Sequence, residues 1–200
     1  MVLPVLQLAD PVVFPGMTLS LGFGSRLHKR LLQQVLAQDE HRFVITNGNV
    51  AQPGFGTCMA LLAVEGNGLD GFAVTAHGMG RQRLDIARTE QVVLETGRVE
   101  QLTYVYDVPA PLGRDDPGRE LLEAWDTEMV FRRYASTFLD RRLQEQIDEA
   151  IPNDPFYLAS FICANSGLGT VRQQAQLAAS TLVDRLRLVR SQMNDLLRHA

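Results

Sequence analysis

The sequence predicts an α+β fold: a curled antiparallel β-sheet or pseudo-barrel carrying one helix, followed by an α-helical bundle. Three observations lead there. Short apolar runs punctuated by Gly, Pro, Asn and Asp recur through roughly the first 110 residues, as strands and turns do. Apolar residues then recur at helical spacing through the remainder. Between the two, Pro109–Gly118 has the composition of a linker. It divides an N-terminal β subdomain, residues 1–112, from a C-terminal α-helical subdomain, residues 113–200.

The first strand candidate is Val2–Leu8, closed by Asp10-Pro11, and the second is Met17–Leu21, entered through Pro15-Gly16. Ser25 is placed to cap a helix on which Leu27, Leu31 and Val35 share a face. Phe43–Thr46, Met59–Val64, Phe72–Ala76, Arg83–Ala87, Gln91–Glu95 and Arg98–Asp107 complete the strand candidates. Turn residues separate them at Asn47-Gly48-Asn49, Pro53-Gly54, Gly66-Asn67-Gly68, Asp70-Gly71, Gly78, Gly80 and Gly97. Gln101–Tyr106 alternates as a half-buried strand requires.

Beyond the linker, Asp116 is an N-cap with Pro117 at the first helical position. Glu120 and Glu123 come early and Arg132, Arg133, Arg141 and Arg142 late, the order the helix dipole favours. Leu121, Trp125, Met129, Tyr134, Phe138, Leu143 and Ile147 supply a drifting apolar stripe. Asp154-Pro155 restarts the chain into a helix over Phe156–Ala164. Thr170 with Gln173 has capping-box spacing and opens another. Thr181 with Asp184 opens a last one, whose Leu182, Leu186, Val189, Met193 and Leu196 form a short 4-3-4-3 seam. That seam is expected to pack inside the bundle, which suits a monomer or a weak homodimer.

Composition bounds the function. At 46% hydrophobic and 21% charged, the chain has material for a core. Its longest apolar stretch, Met59–Val64, falls far short of the ~18 residues a membrane-spanning helix needs. No basic residue precedes Arg26, and Cys58 and Cys163 form no paired motif. The expectation is a cytoplasmic protein with free thiols and no membrane partner. A net charge of −4 argues against broad binding to phosphate backbones.

No constellation for catalysis emerges. Gly66-Asn67-Gly68-Leu69-Asp70-Gly71 has the spacing of a dinucleotide fingerprint, which requires a helix after it. Phe72–Ala76 is β-branched and alternating, so a hairpin loop explains the glycines better. Lys29, the only lysine among 19 basic residues, follows no glycine-rich loop, which removes a P-loop. No serine sits in a nucleophile elbow. His28, His41, His77 and His199 lack metal-ligand spacing. Asp115-Asp116 has a structural role at a helix start. We therefore expect no catalytic, cofactor-binding or metal site.

A series of ordered signatures does carry information. Leu3-Pro4-Val5-Leu6-Gln7-Leu8 is followed by Val13-Phe14-Pro15-Gly16-Met17-Thr18-Leu19. Gly56-Thr57, Leu69-Asp70-Gly71 and Gly78-Met79-Gly80-Arg81-Gln82-Arg83-Leu84 come next. In order and spacing these resemble the N-terminal, substrate-binding domain of Lon proteases, and Asp154-Pro155 with Leu158-Ala159, and Asp184-Arg185-Leu186, resemble its helical part. The resemblance implies a PUA-like β subdomain in which Leu3, Pro4, Phe14, Pro15, Gly16, Gly56, Gly78 and Arg83 define the fold.

For function, the resemblance implies a non-catalytic module, standing alone without ATPase or peptidase domains. It would recognise protein or peptide segments, with an ATP-dependent protease or chaperone as partner in trans. Phe23, Arg26, Phe55 and Arg81 are the candidate protein-binding residues. The family's "FE-x-RY" stretch is here Phe23-Gly24-Ser25-Arg26-Leu27, which keeps only the phenylalanine and the arginine. The alternative is an RNA-binding PUA-like protein, for which Arg81, Arg83 and Arg88 form the one basic cluster of the β region.

Overall fold

The computed structural model describes residues 1–47, 54–66 and 71–200. The chain forms two compact units, Met1–Pro111 and Leu112–Ala200. The first contains β1 (Val2–Leu8), β2 (Thr18–Phe23), α1 (Arg26–Leu36), β3 (Arg42–Asn47), β4 (Phe55–Glu65), β5 (Phe72–Arg83), β6 (Ile86–Val93) and β7 (Val99–Tyr106). The strands make one curled sheet in the order β2-β5-β4-β3-β1-β7-β6.

The expected antiparallel sheet has one exception: β1 and β3 run parallel, Val5 opposite Val44 and Leu8 opposite Asn47. A parallel pair needs a long crossover, and β2 with α1 supplies it. The separate strands expected at Arg83–Ala87 and Gln91–Glu95 are also redrawn. β5 runs straight through Gly78 and Gly80, which pair with Met59 and Cys58 across an irregularity in register and are not turns, and continues through Arg83; a single β6 begins at Ile86. Ser25 caps α1 as expected, its Oγ accepting from His28 N at 3.1 Å.

Strand alternation sorts the core into two clusters. Phe23, Leu31, Leu32, Val35, Phe43, Ile45, Met59, Val74, Leu102 and Tyr104 gather with α1. Leu3, Val5, Val44, Cys58, Leu84 and Val105 form the other. The fold-defining residues meet in this unit. A Cβ on Gly78 would lie 2.8 Å from Phe14 O, and Gly16 N donates to Gly78 O at 2.8 Å. A Cβ on Gly56 would lie 2.6 Å from Ile45 O and 2.7 Å from Val44 Cγ1, inside any permitted contact. Leu3, Pro4, Phe14 and Pro15 are buried, whereas Arg83 is exposed and pairs with Asp85 at 3.2 Å.

The second unit contains α2 (Pro117–Phe138), α3 (Arg141–Ala150), α4 (Pro155–Asn165), α5 (Thr170–Ala178) and α6 (Leu182–Leu197). Asp116, Asp154 and Thr181 cap α2, α4 and α6 through their side chains, as expected. Thr170 does not cap. It is already helical in α5, Gly169 holds the cap position, and Gln173 Nε2 donates to Cys163 O at 3.2 Å instead of closing a capping box. The α6 seam from Leu182 to Met193 is buried within the unit. Among the described residues no helix is long and apolar enough to cross a membrane, and no group of side chains is arranged to hold a metal ion.

Candidate protein-recognition surface

The apolar stripe read along 121–147 is two different faces. From Met129 to Tyr134 the step is five residues, which leaves the i+3, i+4 spacing of one helix side. Phe131, Tyr134 and Ala135 are buried. Leu121, Leu122, Trp125 and Met129 point to solvent, 60, 63, 66 and 60% exposed. Leu121, Trp125 and Met129 follow each other at i, i+4, i+8 and make a continuous row on α2.

What α2 buries in its first turns is acidic. Glu120 accepts from Arg114 Nε at 2.9 Å and from Asp115 N at 2.8 Å. Glu123 accepts from Arg187 Nε at 2.7 Å and pairs with Arg190 at 2.8 Å. The arginine hydrogen bonds hold both carboxyls below the ordinary carboxylate value, against the opposing effect of burial. A carboxylate at a helix start also suits the dipole. In its first turns the helix thus buries carboxylates held in ion pairs within the unit, while Leu121, Leu122, Trp125 and Met129 are turned out. Flanking charges are matched as well: Arg132 with Glu128 at 2.8 Å, and Arg190 with Asp126 at 3.1 Å. The result is an apolar row with a charge-compensated margin, suited to apolar partners more than to charged ones.

The four residues singled out from the sequence lie at opposite ends of β5. Phe23 pairs across from Phe72 and is 1% exposed, its ring 5.2 Å from His28; it is a core residue, unavailable to a partner. Arg26, beside it at the start of α1, is exposed. Phe55 lies opposite Arg83 at the other end, and there Phe55 and Arg81 come together. The Arg81 guanidinium stacks 4.4 Å over the Phe55 ring while its Nε donates to Ala110 O at 2.7 Å. These residues border an open cavity of about 680 Å³ with Gly54, Pro109 and Pro111. Arg81 is buried and works as a strut for the last residues of its unit.

Of the basic cluster needed for RNA, Arg81 is engaged by carbonyls, Arg83 by Asp85, and Arg88 lies 3.9 Å over the Tyr104 ring. The glycine-rich segment 66–71 lies partly outside the described residues, as do Asn49, Pro53, Leu69 and Asp70 from the other turn and motif readings. The elements flanking it, β4 and β5, pair as antiparallel strands, so no helix follows to receive a pyrophosphate. Cys58 and Cys163 are free and buried, and burial pushes both thiols up, Cys163 to about 12.

A family model described as the ATP-dependent protease La (LON) substrate-binding domain matches residues 2–195. No curated protein matches the chain. Among solved structures, the N-terminal domain of a Mycobacterium avium complex Lon protease superposes with a TM-score of 0.73 at 19% identity, covering 98% of this chain and 99% of that one. A Lon N-terminal domain protein from Xanthomonas campestris does so with a TM-score of 0.61 at 16% identity, covering 96% and 98%. At such identities the two structures establish the shared fold.

Proposed function

Because the chain belongs to the LON substrate-binding domain family, a family of substrate-recognition modules, we propose that it binds unfolded polypeptide segments without catalysing a reaction on them, and passes them to an ATP-dependent protease or chaperone in trans. The exposed row Leu121, Trp125 and Met129, widened by Leu122, carries this reading. Large apolar side chains held in water gain about 25 cal/mol per Å² when a partner covers them. Tryptophan in particular tends to dominate the affinity of interfaces. Unfolded segments are rich in such apolar groups, and a margin without surplus charge does not restrict their sequence.

The test is fluorescence anisotropy with a labelled polypeptide kept unfolded by carboxymethylated cysteines. Replacing Leu121→Ser and Trp125→Ser together is expected to weaken binding at least about ten-fold, the equivalent of ~1.4 kcal/mol. Circular dichroism of the variant should match that of the parent. Undiminished affinity would contradict the role of α2. Salt-sensitive affinity for a labelled RNA, exceeding that for the polypeptide, would favour RNA binding instead.

A further inference from the structure

Strands β1 and β7 pair only at their ends, at Val2↔Tyr106, Leu3↔Val105 and Pro4↔Tyr104. β1 nevertheless continues to Leu8 beside β3, and β7 begins at Val99 beside β6. Between Val5-Leu6-Gln7 on one side and Val99-Glu100-Gln101 on the other, the sheet is open. The opening is a cavity of about 450 Å³, walled also by Leu27, His28 and Leu31 of α1. Arg30 Nε bonds Glu90 Oε1 at 2.7 Å, and Leu31, Leu32 and Val35 sit in the core, so α1 is fixed as one wall of this opening.

The direction of the main-chain groups follows from the ladders. In an antiparallel pair, residues alternate between those that bond to the partner strand and those whose N–H and C=O face away from it. Asp107 N donates to Met1 O at 3.0 Å, which by alternation turns the groups of Leu3, Val5 and Gln7 toward β7. Leu94 N donates to Arg98 O at 2.8 Å, which turns Glu100, Leu102 and Tyr104 toward β6 and Val99, Gln101 and Thr103 toward β1. Gln7 on β1, and Val99 and Gln101 on β7, therefore face the gap with no strand opposite them. They form a sheet edge in the middle of the sheet order.

We propose that an extended, uncharged polypeptide segment binds in this cleft by adding a strand to β7 where β1 has left it. The inference rests on the polypeptide-recognition reading and assigns that recognition a second site, in the β unit. Main-chain bonds to Val99 and Gln101 supply affinity independent of sequence, and alternate side chains meet the walls. Leu6, Leu27 and Leu31 receive a small apolar side chain. The His28 Nδ1 atom is buried without a hydrogen-bond partner and is placed to bond a hydroxyl or amide. Burial lowers the His28 pKa despite Glu100, so the ring favours a neutral guest. Arg98 and Glu100 lie 3.8 Å apart and offset each other's charge.

Hydrogen exchange of the full chain tests this, with a short peptide of alternating valine and threonine as probe. A second probe has the same sequence N-methylated at alternate residues, so that its bonding edge is blocked. The first peptide is expected to slow exchange at the Gln7, Val99 and Gln101 amides, and the second to bind about ten-fold less tightly. Gln101→Pro removes an N–H that the β6–β7 ladder does not use and should lower affinity for the first peptide similarly. Equal affinity for both peptides, or exchange at those amides unaffected by the first, overturns the cleft. If the α2 variant loses unfolded polypeptide while N-methylation has no effect, the cleft falls and the α2 surface stands. Absence of any binding overturns both.

Discussion

Single residues decide whether this backbone closes. Gly56 has no room for a methyl group between Ile45 O and Val44 Cγ1, whereas nothing lies within 4 Å of a Cβ built on Gly80 in the adjoining strand. Gly56→Ala should therefore cost about 1–3 kcal/mol of stability in urea unfolding, while Gly80→Ala should stay within about 0.5 kcal/mol. A second prediction concerns acid. Glu120 and Glu123 have folded-state pKa values below their ordinary 4.5, so their stabilisation is complete above that value and is lost as pH falls through the folded values. Urea midpoints measured from neutral pH to about pH 3 should fall, and Glu120→Gln should flatten the acid limb while lowering stability at neutral pH. The glycines were legible in sequence because a missing side chain is visible there. The ion pairs of Glu120 and Glu123 were not, since Arg187 and Arg190 are distant in the chain and sequence spacing holds no trace of them.

At the scale of elements, caps were the most readable features. Ser25, Asp116, Asp154 and Thr181 each bond the backbone N–H that local chemistry assigns to them. Where a side chain had a better long-range partner the local rule failed, as Gln173 did in reaching Cys163 O. The two faces of α2 were merged for a related reason: a hydrophobic residue looks the same whether it faces a core or a solvent-exposed surface. The break at Met129 to Tyr134, and the arginines at 132 and 133 that end the first row, were the available signal. Since that row lies mostly in solvent, Leu121→Ala and Trp125→Ala should each change thermal stability by no more than about 0.5 kcal/mol, in contrast to the fully buried Phe131, whose replacement by Ala should cost about 3–5 kcal/mol.

For the whole molecule, the sequence held the α+β class and the sheet-then-helices order, because period and turn chemistry are local. It did not hold the parallel β1–β3 pair or the opening between β1 and β7, since both depend on which distant strands meet. Nor did it hold the outward face of α2, on which the account of function rests. Trp125 is the only tryptophan in the chain, and its exposure makes it a reporter on that surface. The most direct measurement is its fluorescence during titration with a tryptophan-free, carboxymethylated unfolded polypeptide. A saturable shift of emission to shorter wavelength is expected as the indole leaves water. Binding of the polypeptide with no change in Trp125 emission would contradict the account.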